Sequence, residues 1–530
     1  MFELIPTGVT FGTGRKSINN AFSGQAQFNV LSASTIFSGS TDLYDIFATS
    51  INSSGSSGNF PYVFDNTSIN TVSGNNISSG AYSSVIGGKE NFASGDYTSV
   101  SGFKSSATTL SDHAEGSSTL AKGGSSHAEG SYTIAEGSYS HAEGKSTLSK
   151  GGSSHAEGSY TIAEGESSHS EGVLTKALGS SSHAEGLVTE SIGGQSHSEG
   201  SYTKSYGNAS HAEGRLTKSI GNESHAEGLQ TESIGLYSHA EGWGSIASGD
   251  SSHAEGAFTK AHKSFSHSEG TGSQAIGFAS HAEGSGTIAS GDSSHSEGTQ
   301  SNSYGQASHA EGSNTKAIGF SSHSEGQFTE SEGISSHAEG YKTKAIGFAS
   351  HAGGTKSYAY GNNSFVHSDN SNSNSNNSAI LGGESNSIDL SAIRSVVLGG
   401  QNITGTTEDT VYTPSLNVKQ DFSLRDFDIN ITSNINDWIG TIKKSSIRLN
   451  ATSPGLQIGG MQGGIEGKML YIINSGANAV EFVHEAVTSN SENRMLLGNA
   501  ASNITVLQNQ IITFKYDAVT ERWRHVSTSA

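Results

Sequence analysis

Small and larger side chains alternate along residues 113–354, and the alternation recurs at the constant interval that separates His113 from His127. The repeat Ser201–Gly214 divides into two halves of equal length. Small residues occupy alternate positions of both halves: Thr203, Ser205 and Gly207, then Ser210, Ala212 and Gly214. A period of two is typical of a strand whose two faces have different surroundings. The pattern therefore predicts two short strands per repeat, with the small residues inside and the larger ones outside.

Self-similarity at the short, fourteen-residue period predicts a solenoid, in which each repeat is one coil stacked on the next. Turns are expected at Ser201-Tyr202 and Asn208-Ala209. The larger residues should point outward, His211 and Glu213 from one strand and Lys204 and Tyr206 from the other. A helix is excluded because no 3.6-residue period appears and a Gly in every half would cost about 1 kcal/mol each.

The interior of such a coil is too small to form an ordinary hydrophobic core. Hydrophobic residues make up 32% of the chain, and those of the repeats point mostly outward. Coiling three chains around a common axis would remove one outer face of each coil from water. The composition therefore predicts a homotrimer.

The coils that flank the histidine repeats are apolar: Ser84-Val85-Ile86-Gly87-Gly88, Ser99-Val100-Ser101-Gly102, Ser378-Ala379-Ile380-Leu381-Gly382-Gly383 and Ser395-Val396-Val397-Leu398-Gly399-Gly400. They resemble the Ser-Val-Ala-Ile-Gly coils of trimeric autotransporter adhesin heads, which are left-handed parallel β-helices assembled as trimers. The resemblance covers residues 64–405 and implies an all-β fold.

In that family the Val and Ile side chains face the trimer axis, so the resemblance places the apolar side chains of the N-terminal coils on the axis side. Each repeated His and Glu takes the same two places in its own coil. The implied axis residues are His113, Glu115, His127, Glu129, His141, Glu143, His155, Glu157, His169, Glu171, His183, Glu185, His197, Glu199, His211, Glu213, His225, Glu227, His239 and Glu241.

Carboxylates in axial rings would repel one another unless hydrogen-bond donors or cations offset their charge. We expect His donors to satisfy Glu acceptors between chains, without a metal or cofactor. Rings that bind cations are the alternative. If His supplies the donors, protonating it below a pKa near 6.5 should strengthen the pairing, and titrating Glu near 4.3 should remove it.

A second outward column is apolar, and we expect it to pack at the trimer seam, with lateral docking of another fibre component as the alternative. Its members are Leu178, Ile192, Tyr206, Ile220 and Ile234, continued by Ile276, Ile318 and Ile346.

The charge of −21 leaves no basic patch for a nucleic acid partner, and cysteine is absent. No 18-residue apolar run occurs, and Met1-Phe2-Glu3-Leu4 lacks the basic start of a signal peptide, so neither membrane insertion nor a usual leader is expected. This pattern favours a protein built into a particle over a surface adhesin.

Four regions are predicted. Residues 1–63 would attach to other virion tail or baseplate proteins, or cap the first coil. Residues 64–405 form the shaft, whose 18 histidine coils would span about 85 Å, and 406–428 connect it to the tail. Residues 429–530 show alternating runs separated by turn signals, such as Ser446-Ile447-Arg448-Leu449, which predicts a β-sandwich.

This tail is similar to the C-terminal β domains of phage tail fibres. The similarity rests on Gly463-Gly464-Ile465-Glu466-Gly467-Lys468, Ile472-Ile473-Asn474-Ser475-Gly476, Asn493-Arg494, and Tyr516-Asp517 with Trp523. Trp523 is expected in the core. Candidate contacts for a host surface glycan or protein are Trp438, Tyr471, Arg494, Arg522 and Arg524, because aromatic and Arg side chains dominate binding hot spots.

Two catalytic interpretations are excluded, one by the direction of the side chains and one by the spacing of the residues. Ser210 and His211 are adjacent in a strand and point to opposite faces, so they cannot act as nucleophile and base. The Gly463–Lys468 stretch lacks the spacing of a phosphate loop and predicts a tight turn instead. A glycan depolymerase would need carboxylates in an open groove, which inaccessible axial Glu residues do not provide.

The sequence therefore predicts a non-enzymatic trimeric fibre of a virus particle that attaches to a host surface. A bacterial cell-surface trimeric adhesin is the alternative.

Overall fold

The computed structural model describes residues 37–38, 41–42, 62–65, 68–71, 74–417, 419, 423–498 and 502–529. These residues fall into two compact units that divide between Pro414 and Ser415. Apart from Phe37–Ser38, which pairs with Thr41–Asp42, and the start of Tyr62–Asp65, the predicted attachment region 1–63 lies outside the described residues. None of the helices in the described ranges is long and apolar enough to cross a lipid bilayer.

The first unit is a parallel β-solenoid with two strands in each coil, as the alternation predicts. One sheet, called here the histidine sheet, begins at an antiparallel pair, Tyr62–Asp65 with Ser68–Thr71. Its remaining strands are Ser84–Lys89, Ser99–Phe103, His113–Ser117, His127–Ser131, His141–Lys145, His155–Ser159, His169–Val173, His183–Leu187, His197–Ser201, His211–Ala212, His225–Ala226, His239–Ala240, His253–Ala257, His267–Thr271, His281–Ser285, His295–Ser296, His309–Ser313, His323–Gln327, His337–Ala338, His351–Thr355, Phe365–Asp369, Ala379–Glu384, Val396–Leu398 and Val411–Tyr412. The last of these extends the solenoid past residue 405.

The second sheet, called here the opposite sheet, consists of 24 two-residue strands. They are Ile77–Ser78, Phe92–Ala93, Ser106–Ala107, Leu120–Ala121, Ile134–Ala135, Leu148–Ser149, Ile162–Ala163, Lys176–Ala177, Glu190–Ser191, Lys204–Ser205, Lys218–Ser219, Glu232–Ser233, Ile246–Ala247, Lys260–Ala261, Gln274–Ala275, Ile288–Ala289, Asn302–Ser303, Lys316–Ala317, Glu330–Ser331, Lys344–Ala345, Tyr358–Ala359, Asn372–Ser373, Ser387–Ile388 and Thr404–Gly405.

Turns lie where the sequence predicts them. Tyr202 and Ala209 have φ angles of 59° and 52°, and left-handed residues recur at this half-repeat spacing through the coils. Backbone hydrogen bonds join each coil to the next, and the Lys204 N–H, for example, donates to the Thr217 carbonyl at 3.0 Å. The hydroxyl of Ser210 donates to the Gly207 carbonyl at 2.6 Å and closes the turn.

The interior is miniature, as predicted. Thr203, Ser205, Ser210 and Ala212 are each no more than 1% exposed. Glycine completes this interior because a Cβ at Gly207 would lie 1.9 Å from the carbonyl oxygen of the next coil. The interior of this coil therefore consists of small residues, and stacking on the next coil leaves no room for a Cβ at Gly207.

The described residues of the second unit are all-β apart from two short 3-10 helices, Ile439–Thr441 and Ser491–Asn493. A six-stranded sheet has the order Asp426–Ile431, Ser446–Ala451, Met469–Asn474, Ile511–Asp517, Arg522–Thr528 and Met495–Leu496. A three-stranded sheet has the order Leu456–Ile458, Val480–Phe482 and Ile504–Val506.

Both sheets of this unit are mixed, and the sandwich arrangement stays a prediction. Asp426–Ile431, Ser446–Ala451 and Met469–Asn474 pair in parallel, and Ile511–Asp517 reverses direction against them. Parallel neighbours need crossover connections rather than hairpins. Residues from both sheets share one core, in which the Phe482 and Phe514 ring centroids are 5.4 Å apart.

Candidate functional site

The histidine sheet presents His and Glu on its outer face. In the coil around His211, Ser210 and Ala212 are buried, whereas the His211 and Glu213 side chains are 33% and 34% exposed. The outward direction predicted for these side chains is therefore confirmed. Ser210 points inward and cannot reach the imidazole of its own motif.

The imidazoles from His113 to His351 form one row along this face, called here the histidine ladder, and those from His127 to His337 are stacked in parallel. Parallel pairing in register places each His over the same residue of the next coil, for example His197 over His211. Their ring centroids are 4.7 Å apart and the ring planes differ by 1°. The stacking distance follows from the separation of neighbouring strands, about 4.8 Å.

From His113 to His309 each ladder imidazole lies beside the Glu two residues further along the chain, whereas His323, His337 and His351 lie beside the Glu of the preceding coil. The distance from His211 Nε2 to Glu213 Oε2 is 3.7 Å, and the corresponding distance at His113 is 3.4 Å. Within the described residues, the Nε2 atoms from His127 to His351 are enclosed yet have no hydrogen-bond partner. A buried polar atom without a partner is costly, so this face is incomplete in one isolated chain.

Charging His211 or His239 within the ladder is unfavourable. Desolvation lowers the pKa of His211, and the charges of His225 and His197 lower it further. The pKa of His239 is lowered for the same reasons, desolvation first and then its two ladder neighbours. In one chain, protonating these imidazoles in mild acid is therefore opposed by desolvation and by the neighbouring His charges. This runs against the expected strengthening of His–Glu pairing near pH 6.5.

The carboxylates form a parallel column, called here the glutamate column. Desolvation raises the pKa of Glu241 to about 7, assisted by hydrogen bonds with Glu227 and Glu255. Desolvation and hydrogen bonds with Glu283 and Glu255 likewise raise the pKa of Glu269 to about 7. For Glu255 between them, desolvation acts upward, but hydrogen bonds from Glu269 and Glu241 lower the pKa. Protons shared along the column relieve the repulsion of closely spaced carboxylates.

All the predicted axis residues from His113 to Glu241 therefore lie on one face, and their place at a trimer axis stays a prediction. Sets such as His141, Glu143 and His155 bring one donor atom from each residue within 4.8 Å of one another. This spacing leaves the cation alternative open for the ladder.

The N-terminal flanking coils depart from the expected pattern. Val85 and Val100 are fully buried inside the coil, in register with Ala114, so the prediction that they face the axis is wrong. Ser99 takes the histidine place, and Ile86 projects outward at an irregularity in the pairing. Counting back one full repeat from His113 reaches Ser99 and identifies Val100 as the inward residue, but a second count reaches Val85 itself and fails because the pairing places Ser84 opposite Ser99.

The C-terminal flanking coils carry apolar side chains both inside the coil and on its outer face. Val396 and Leu398 lie on the outer face, whereas Val397 is fully buried. Ile380 is buried in the same way, and Leu381 beside it is 46% exposed. Apolar side chains thus replace His and Glu on the outer face at this end.

An open groove of about 540 Å³ follows the C-terminal part of the glutamate column and ends at His367. Its side chains include Glu297, Glu311, Glu325 and Glu339. Sequence reasoning missed His367, which stands in the glutamate place of its coil, one full repeat after Gly353.

The predicted apolar column lies outward on the opposite sheet. Tyr206, Ile220 and Ile234 are 38–41% exposed. Beside them runs a charged column, in which the Nζ atoms of Lys204 and Lys176 lie 2.8 Å and 2.9 Å from Glu190. Hydrogen bonds from Lys204 and Lys176 lower the pKa of Glu190. This second face therefore pairs its own charges within one chain.

The predicted tip residues occupy different environments. Trp438 is 4% exposed and belongs to the core, so its indole offers almost no surface to a receptor. Tyr471 lines an open groove of about 440 Å³. Arg494 Nε donates to the Ser489 carbonyl at 3.0 Å, Arg522 Nε to Glu485 at 2.8 Å, and Arg524 Nε to Asp517 at 2.6 Å.

Two further expectations about this unit are confirmed. Trp523 is fully buried, and its Nε1–H donates to the Met461 carbonyl at 2.7 Å. Residues 465–468 form a tight turn in which the Lys468 N–H donates to the Ile465 carbonyl at 2.9 Å. The Lys468 Nζ donates to the carbonyls of Thr441 and Gly463, both at 2.9 Å, so it braces the protein's own backbone.

No protein-family model and no curated protein sequence matches the chain. Fold class and site therefore rest on the geometry described above: a parallel β-solenoid that presents an ordered histidine and glutamate face.

Proposed function

We propose that the chain is a structural and receptor-binding fibre of a virus particle, such as a phage tail fibre, that acts as a homotrimer of left-handed β-helices. The observation that carries the proposal is the row of enclosed Nε2 atoms without hydrogen-bond partners, among the described residues, on the histidine ladder. A face built so regularly, yet left unsatisfied in one chain, is suited to meeting copies of itself.

A trimer would bury surface and supply hydrogen-bond acceptors that a single coil lacks. The interior buries mainly Ala, Ser and Thr, which contribute little apolar area. Three histidine sheets around an axis would remove the ladder from water and bring Glu acceptors from neighbouring chains to the Nε2 atoms. The apolar column at Tyr206, Ile220 and Ile234 would pack at the seam between chains.

The two units would then have different tasks. The solenoid would form the shaft, and the C-terminal unit, arranged as a sandwich, would contact a host surface glycan or protein through Tyr471, Arg494, Arg522 and Arg524. Residues 1–63 would join other tail or baseplate proteins. The division between Pro414 and Ser415 supports a separate shaft and tip.

Solution mass tests the assembly. Native mass spectrometry should give three times 54.6 kDa for the folded chain. Glu213→Lys, within the glutamate column, should reduce the trimer, whereas Glu223→Lys, at an exposed turn, should not. A folded single copy of the wild-type chain would overturn the trimer.

Imaging tests the biological role. A gold label on the C-terminal unit should mark the distal end of fibres on native particles, and labelled full-length chain should bind host cells. Arg524→Ala should weaken that binding, whereas Arg448→Ala, another Arg with an Asp neighbour, should not. A label on a bacterial envelope instead of a particle would replace the fibre with the surface adhesin.

A further inference from the structure

The regular ladder ends at an irregular cluster of three side chains. Gly353 stands where the repeat has Glu, and the next coil carries His367 in the same column. The missing side chain opens a space, because a Cβ at Gly353 would lie 2.5 Å from His367 Nδ1 and 2.9 Å from Glu339 Oε1. His367 uses this space to reach across one coil toward Glu339.

Two imidazole nitrogens converge there on one carboxylate oxygen. Glu339 Oε1 lies 3.3 Å from His351 Nε2 and 3.3 Å from His367 Nδ1. His351 Nε2 is enclosed and has no hydrogen-bond partner within the described residues. The three residues belong to three consecutive coils.

We propose that Glu339, His351 and His367 form a binding site for a divalent transition metal ion, with Zn²⁺ the best-fitting member of that class. Zinc accepts His nitrogen and carboxylate oxygen at about 2.0–2.2 Å in a tetrahedral arrangement, which separates neighbouring donor atoms by about 3.3 Å. Two nitrogens and one oxygen suit zinc better than Mg²⁺ or Ca²⁺, which prefer oxygen alone.

The site differs from the repeated His–Glu–His sets of the ladder. At mid-ladder the imidazoles stack in parallel, as for His309 and His323, whose planes differ by 3°. Between His337 and His351 the angle becomes 88°, so the last ladder imidazole turns out of the stack. The His367 side chain is 53% exposed and lines the groove with Glu339, so water from the groove would supply the fourth ligand.

A bound ion would link three consecutive coils at the end of the histidine repeats, next to the apolar C-terminal coils. The ligands come from a single chain, so the site does not depend on the proposed trimer or on the fibre function.

Zinc titration of the full-length chain, previously stripped of metal and monitored with a competing chromophoric chelator, tests the site. The wild type should show one tight step per chain. His367→Ala and Glu339→Gln should each weaken that step at least tenfold. Gly353→Glu should do the same, because it restores the repeat and fills the space used by His367.

His323→Ala is the matched control, because it removes a ladder imidazole outside the cluster, and circular dichroism should show the same β content in every variant. X-ray absorption at the zinc edge should report only nitrogen and oxygen ligands at about 2.0–2.1 Å. The proposal is overturned if the wild type shows no tight step, if His367→Ala binds like the wild type, or if His323→Ala loses as much affinity as His367→Ala.

Discussion

Replacing Gly214 by Ala tests the stacking of the coils. Gly214 has a φ of 98°, and a Cβ there would lie 2.2 Å from the carbonyl oxygen of Gly228 in the next coil. That oxygen belongs to the backbone, so no side chain can move aside. The two coils must separate locally or the chain must leave its conformation.

The magnitude follows from the bonds around the contact. Widening it from 2.2 Å to the 3.4 Å of an ordinary contact strains the bonds from Glu213 N–H to the Ala226 carbonyl, 2.9 Å, and from Arg215 N–H to the Gly228 carbonyl, 2.8 Å. Losing two hydrogen bonds costs about 2 kcal/mol, and a left-handed Ala adds about 1–2 kcal/mol. We expect a local destabilisation of about 3–4 kcal/mol.

Amide hydrogen exchange measures this loss locally, because each coil depends on its neighbours. Exchange of the Glu213 and Arg215 amides should accelerate by about two to three decades, at about 1.4 kcal/mol per decade. The distant His141 amide should be unaffected. Gly272→Ala is the matched control, since its φ is 67° and no atom lies within 4 Å of the added Cβ.

Gly272→Ala should therefore accelerate exchange only about tenfold near its own coil, through the left-handed conformation alone. Equal acceleration in the two variants would refute the argument that close stacking of coils is what requires Gly214.

Three titrations follow from the shifted pKa values. The folded pKa of Glu241 is about 7, above its unfolded value, so its favourable contribution to stability is present at pH 5 and is lost as the pH rises through 7. Glu241→Gln should therefore raise the unfolding temperature at pH 8 but not at pH 5, and an unchanged unfolding temperature at pH 8 would contradict this. Because the pKa of His211 is lowered in the folded chain, the unfolded chain binds a proton below about pH 6.5 that the folded chain does not bind. Between pH 7.5 and 5.5, His211→Gln should therefore lose less stability to urea than the wild type does. The hydrogen bond from Arg524 holds the pKa of Asp517 at about 2, and in Arg524→Ala an NMR titration should find it nearer the ordinary value of 3.8.

The constant repeat length determined most of the shaft. It places small residues inside and His and Glu outside because neighbouring strand residues point in opposite directions. The same logic located the strands around Ile447, Ile472 and Phe514 in the C-terminal unit. These features depend on neighbours in the chain, so they can be read without knowing the fold.

Tertiary structure decided which residue points inward, which strands pair and which distant side chains meet, because local alternation does not specify them. In Val85-Ile86 two apolar residues stand side by side, and only the pairing with the next coil sends Val85 inward. The parallel order of Asp426–Ile431 and Ser446–Ala451 depends on crossover connections that a list of alternating runs does not specify. The meeting of His367 with Glu339 spans two coils and a missing side chain, so it exists only once the coils are stacked.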